Sequence, residues 1–155
     1  MLVYMQVSGI SGSGGGARPG WIWLDKCTFG FERSAETEID DDSPTAPKKP
    51  ELDPVIIEKP ADASSAALMR WIEQGDPRSV TLEFCVNVKT VVMRCTLEQA
   101  RLLTYHADAS GGRNARVKDV LSLNYKSIDI EYKQYGVDNV GSTAQTQFSY
   151  DSEAT

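Results

Sequence analysis

His106 is the only histidine of this chain. With Cys27, Cys85 and Cys95 it makes up the residues best suited to nucleophilic, acid–base or soft-metal chemistry. A hydrolase triad needs its histidine beside a nucleophile and a carboxylate. The run Tyr105-His106-Ala107-Asp108 carries no such signature, and Ser110 falls in a turn. The cysteines are odd in number and lack CxxC spacing, which speaks against a zinc site and a disulfide framework. All three fall in strand-like segments and read as small buried or half-buried apolar residues. The run Ser11-Gly-Ser-Gly-Gly-Gly16 resembles a phosphate cradle on the surface. A P-loop, however, ends in Gly-Lys-Ser/Thr and opens a helix. Here Ala17-Arg-Pro-Gly-Trp21 leads into a strand, so a flexible loop is expected. The acidic run Glu36 to Asp42 lacks the spaced ligands and central glycine of a calcium loop and reads as solvated. No catalytic residue, metal or cofactor is expected.

The elements that would position these residues are mostly strands. Leu2 to Val7 places Val3, Met5 and Val7 on one face. Trp21 to Glu32 reads as one long strand, with Trp21, Trp23, Cys27, Phe29 and Phe31 toward the core and Lys26 and Thr28 pointing away. Val55 to Lys59 is a short strand. One helix follows, with Asp62 as its N-cap, Ala67, Leu68, Trp71 and Ile72 as its apolar stripe, and Gly75 at its end. Ser79 to Asn87 sets Val80, Leu82, Phe84 and Val86 on one face. It turns at Asn87-Val88-Lys89 into Thr90 to Leu97. Gln99 to Ala107 is a further strand or a bent extension, and Ser110 to Asn114 is a turn. In Leu121 to Tyr132 the alternation changes phase: Leu121, Leu123 and Tyr125 are odd, whereas Ile128, Ile130 and Tyr132 are even. Side chains alternate across a strand, so a β-bulge near Lys126-Ser127 is expected, in a strand that bends as a small closed barrel requires. Gly136 to Thr143 is a polar loop and Gln145 to Tyr150 a last short strand. Ser34 to Asp53, with Asp40-Asp41-Asp42 and prolines at 44, 47 and 50, reads as an exposed loop.

The chain has 155 residues, 41% of them apolar, which suits one domain with a real core. The net charge of −6 argues against a nucleic-acid backbone as partner. No apolar run approaches a membrane span. The start, Met-Leu-Val-Tyr-Met-Gln-Val, lacks a basic leader before an apolar block, so no signal peptide is expected and synthesis is expected in a cytoplasm.

The order of segments resembles the haemolysin-coregulated protein (Hcp) family, the tube protein of bacterial type VI secretion. The resemblance is carried by Val3-x-Met5 with Gly9-Ile10-x-Gly12, by Cys27-Thr28-Phe29-Gly30, and by Asp62 to Gly75 running into Val80 to Val86. It is most specific over Met93 to Tyr132, with the Gly111-Gly112 turn inside, and ends at Gln147-Phe148-Ser-Tyr150. It departs at Ser34 to Asp53, where many members are Gly-rich and this chain is acidic and Pro-rich.

The resemblance implies a mostly β fold, a small closed β-barrel of two antiparallel sheets with one short helix, spanning 1–155 as a single domain with an exposed acidic loop at about 34–53. It further implies a structural, non-enzymatic role. Homohexameric rings stack into a tube that a contractile sheath expels together with spike proteins, and small effector proteins ride in the lumen. Such a protein leaves the bacterial cytoplasm without a signal peptide, contacts no nucleic acid and inserts in no membrane. Lys26 and Thr28 are its candidates for the lumen face. Glu36, Asp40, Asp41, Asp42, Lys48 and Lys49 are its candidates for the ring-to-ring contact. Lys26, Arg116, Lys118 and Lys126 are available to offset the acidity of a ring. Two other readings stand beside this one: a tail-tube protein of a phage-like injection particle, and a monomeric barrel carrier or enzyme, which would show a deep polar pocket.

Overall fold

Eleven strands and one helix make up the described part of this computed structural model, which comprises residues 1–34, 49–135 and 142–153. In chain order they are β1 (Leu2–Val7), β2 (Ile22–Leu24), β3 (Lys26–Thr28), β4 (Phe31–Glu32), β5 (Glu51–Leu52), β6 (Val55–Pro60), α1 (Ser65–Gln74), β7 (Arg78–Asn87), β8 (Thr90–Asp108), β9 (Lys118–Asn124), β10 (Ser127–Tyr135) and β11 (Ser142–Asp151). The main sheet runs β2-β1-β7-β8-β9-β6-β3. β10 pairs with β8 and carries β11, and β4 and β5 form a separate ribbon. Every pairing is antiparallel.

The expected closed barrel needs correction, because the hydrogen-bonded ladder is open at β2 and β3. Those two ends are nevertheless one stretch of chain, separated by Asp25 alone. The stretch starts on β1 (Met5 opposite Ile22) and finishes on β6 (Cys27 opposite Ile57), while the Asp25 N–H donates to the Glu58 carbonyl at 2.8 Å. The wall is completed by backbone continuity rather than by a ladder. The switch at Asp25 also reverses the inward face. Ile22 and Leu24 are buried on β2, whereas Cys27 packs inward on β3. Trp23, expected in the core, is exposed, as is Phe31. Cys27 and Phe29 do pack against the core.

A second phase reversal lies where the sequence placed it, with a different cause. Leu121, Leu123 and Tyr125 are buried, then Ile128, with Ile130 packed against the core and Tyr132 exposed. No residue is inserted near Lys126-Ser127: Ser127 faces Glu98 and Asn124 faces Arg101, so the pairing of β8 stays in step across the break. Instead β8 reverses as well, with Leu97 and Ala100 both buried around Gln99, the one non-glycine residue with positive φ (54°) among the described residues. Two neighbouring strands turn over together at a left-handed residue. Against β7, β8 carries an extra residue at this point, since Arg78 pairs with Ala100 but Val80 with Leu97; against β9 its register shifts at Leu103, between the Leu102–Leu123 and Thr104–Ser122 pairs. β8 is thus the bent extension, 19 residues long.

Helix α1 begins at an N-cap Ser64 and ends at Gly75 in the left-handed region. Asp62, expected as the cap, stands two residues earlier and accepts the Ser64 N–H at 2.8 Å. Leu68 and Trp71 are fully buried, and the Trp71 Nε1–H donates to the Asp76 carbonyl at 2.6 Å. Ile72 is exposed, so the stripe is narrower than its spacing suggests. Met5, Val7, Ile57, Val80, Leu82, Cys95 and Leu97 complete one continuous core, whereas Val86 lies outside it. β11 begins at Ser142, within the expected polar loop, whose residues 136–141 lie outside the described part.

Candidate functional site

Lys26 and Thr28 stand side by side on one open surface. Cross-strand partners share a face, which puts Thr28 in a row with Ile56, Ser122 and Thr104, and Lys26 in a row with Glu58, Val120 and His106. Lys26, Thr28, Ile56 and His106 are exposed. The Thr104 and Ser122 hydroxyls are 2.6 Å apart, and Lys118 Nζ lies 3.8 Å from Glu58. The surface offers the exposed hydroxyls of Thr28 and Thr104, two apolar side chains, Ile56 and half-buried Val120, and the Lys118–Glu58 pair to a protein partner. His106 sits across from Val120, and no nucleophile and carboxylate converge on it among the described residues.

The expected ring-contact segment divides. Glu36, Asp40, Asp41, Asp42 and Lys48 lie outside the described residues, while Lys49 is exposed. Glu51 and Leu52, expected as loop, pair as β5 with Glu32 and Phe31. The base of the segment is fixed to the wall by side chains distant in sequence. The Tyr125 hydroxyl donates to the Asp53 carbonyl at 3.0 Å and the Tyr150 hydroxyl to the Pro50 carbonyl at 2.9 Å, while Phe31 meets Phe148 edge-on at 5.4 Å between centroids.

Two amides of the glycine-rich loop are taken by backbone carbonyls and are not free to cradle a phosphate. Gly12 N–H donates to the Gly20 carbonyl and Gly14 N–H to the Trp21 carbonyl at 2.7 Å. A Cβ on Gly14 would stand 2.6 Å from the Arg18 carbonyl oxygen, so only glycine fits there. Arg18, which the sequence did not single out, pins the loop. Its guanidinium lies 5.0 Å from the Tyr4 ring centre and 5.1 Å from that of Trp21, and it donates to Glu83, to the Val88 carbonyl at 3.2 Å and to Cys85 Sγ at 3.3 Å. Buried Glu83 also accepts from Arg94 Nε at 2.9 Å. The expected flexible loop is therefore an anchored one.

A second missed cluster joins α1 to the barrel end. Lys59 Nζ lies 2.8 Å from Asp119 and 3.0 Å from Asp62. Asp119 also accepts from the Ser65 and Tyr105 hydroxyls, each at 2.6 Å. Burial alone would raise the Asp62 carboxyl, but hydrogen bonds from Ser64 and Lys59 outweigh it and hold it at about 2. Asp119 is lowered against its burial by Lys59, Ser65 and Tyr105. Tyr105 is pushed up to about 12 by burial and by the hydrogen bond it gives Asp119. Lys59 and Asp119 have no exposed side-chain surface, so this is a structural tie rather than a reaction centre. Burial pushes the thiols of Cys27 and Cys95 up to about 12, and that of Cys85 up as well, which keeps all three protonated.

An open depression of about 540 Å³ lies on β8, β10 and β11, bordered by Glu98, Asp129, Glu131 and Asp151. Among the described residues no group of side chains is arranged to hold a metal ion, and no helix is long and apolar enough to cross a membrane.

Residues 4–132 match the family described as "Type VI secretion system effector, Hcp". No curated protein matches the chain. Among solved structures, one described as a type six secretion system protein superposes with a TM-score of 0.83 at 16% identity, over 97% of this chain and 94% of its own. Hcp1 from Salmonella typhimurium gives 0.75 at 14% identity over 97% and 93%. Hcp1 from E. coli EAEC 042 gives 0.75 at 16% identity over 97% and 99%. At these identities the superpositions establish a shared fold. The sequence match carries the lineage, running from β1 through the phase reversal into β10: the chain belongs to the Hcp family of type VI secretion tube proteins.

Proposed function

We propose that the chain, acting as one domain over residues 1–155, closes into six-membered rings that stack into the tube of a type VI secretion system. The sheath expels the tube from the bacterial cytoplasm together with spike proteins, and the tube carries small effector proteins in its lumen. The observation that carries this reading is the family match across residues 4–132. A head-to-tail interface repeated around an axis closes into such a ring. The open face bearing Lys26 and Thr28 is the candidate lumen surface, with hydroxyls and balanced charge that suit varied cargo without tight binding. The segment holding Glu36, Asp40, Asp41, Asp42, Lys48 and Lys49 is the candidate ring-to-ring contact. The proposed role is structural, and the interior is filled by large side chains such as Trp71, Met5, Ile22 and Ile57.

Light scattering after size exclusion tests the reading, with negative-stain images of the same peak. A mass of 6 × 17.0 kDa, about 102 kDa, with ring-shaped particles is expected. A 17.0 kDa monomer at high concentration would overturn it.

A further inference from the structure

The two ends of the β6–β9 ladder carry different chemistry. At the Val55–Leu123 end stands the base of the arm, where Tyr125 holds Asp53 and Tyr150 holds Pro50. The sequence that leaves this base includes Ala35-Glu-Thr-Glu-Ile-Asp-Asp-Asp42, five carboxylates around one isoleucine with no cation. The Pro60–Lys118 end lies five ladder steps, about 17 Å, away. There the turn before β9 packs on the β6–α1 link, with the Ala61 N–H donating to the Val117 carbonyl at 3.0 Å.

Residues 109–118 bring Arg113, Arg116 and Lys118 and no carboxylate. Lys118 is near Glu58 and faces Asp108 across the ladder. Arg113 and Arg116 are exposed and have no ion-pair partner among the described residues. Arg116 stands on the rim of a cleft of about 300 Å³ formed with half-exposed Trp23, Pro60 and Ala61. The cleft's other polar residues, Ser13 and Asp62, already bond each other at 2.9 Å. An unneutralised guanidinium beside an aromatic and a proline fits a carboxylate-rich peptide with an apolar residue inside it, as Ile39 is.

We infer that the acidic segment Glu36 to Asp42 of one copy docks on the Arg113–Arg116 turn and Trp23 cleft of a second copy in the adjoining ring. The inference rests on the stacked-ring reading above. Its own content is that this chain joins its rings by ion pairing between opposite barrel ends. A copy stacked along the ladder brings its basic end to the arm's base.

The test is sedimentation velocity with negative-stain imaging at about 0.05 M and about 0.5 M salt, where the screening length falls from roughly 14 Å to roughly 4 Å. Wild type is expected to form stacks at low salt and single rings at high salt. Arg113→Glu with Arg116→Glu is expected to give rings that do not stack. Adding Asp40→Lys, Asp41→Lys and Asp42→Lys to that chain is expected to restore stacking. Stacking by the double arginine variant as in wild type would overturn the inference, as would failure of the charge swap to rescue. Loss of the rings themselves in the double variant would also overturn it, by moving the contact inside the ring. Wild type that never forms rings would instead defeat the ring reading itself.

Discussion

Lys59 and Asp119, sixty positions apart in the chain, meet at 2.8 Å with no exposed side-chain surface on either. The pair faces across the β6–β9 ladder and ties the first turn of α1 to the barrel through Ser65. Removing one member leaves a buried charge alone, which costs about 3–5 kcal/mol. Asp119→Ala is therefore expected to lower the urea midpoint strongly. Lys59→Met combined with Asp119→Leu is expected to recover most of the loss, because the apolar pair leaves no charge stranded. Equal destabilisation by the single and double variants would contradict this.

Acid should weaken the same tie. Asp62 titrates at about 2 in the folded chain against an ordinary 3.8, and Asp119 is lowered as well. A depressed folded value means that the unfolded chain binds the proton more readily. The stabilisation is therefore complete above the unfolded value and is lost as pH falls through the folded one. Unfolding free energy is expected to drop between about pH 4 and about pH 2, and Asp62→Asn is expected to flatten that drop. Urea titrations across this window measure it; an unchanged slope in the variant would count against the assignment.

Gln99 holds a left-handed φ of 54° at the point where β8 turns over. That conformation costs a non-glycine residue roughly 1 kcal/mol. Gln99→Gly is expected to be neutral or to stabilise by up to about 1 kcal/mol despite the flexibility that glycine adds. Gln99→Val, with a β-branched side chain at positive φ, is expected to destabilise by more than that. Thermal melts of the two variants decide it. A stable Val variant would mean that the turnover does not depend on the left-handed residue.

How much of this was legible in the sequence depended on the range of the interaction. The odd-to-even switch between Tyr125 and Ile128 was visible because burial imposes a period of two on a strand. Its cause was not, because the compensating reversal sits at Gln99 on the neighbouring strand. The face of β2 was misread because Trp21, Trp23, Phe29 and Phe31 share odd numbers, whereas the chain changes partners at Asp25 and buries Ile22 and Leu24. Trp21 is instead paired with Arg18, and Trp23 lines an open cleft. The Arg18–Glu83 and Lys59–Asp119 ties left no local trace, since each joins residues 60 or more positions apart. Of the candidate surface, Lys26 and Thr28 were correctly turned away from the core, as a strand of alternating character dictates. Their neighbours Ser122 and Thr104 came only with the register.

A hydrogen-bonded wall tears from its loose edges inward, as a zip does. The seam at Asp25 gives this wall no such starting point between β1 and β6. Peeling β2 from β1 pulls directly on β3, which is still fastened to β6, and a single backbone spreads the load over both ladders. Among the described strands of this sheet, the loose edge that remains is β11, which lies outside that circuit. Fraying should therefore start at the β10–β11 ribbon and leave the core wall shut, whereas one peptide-bond cut at Asp25 would let the wall unroll.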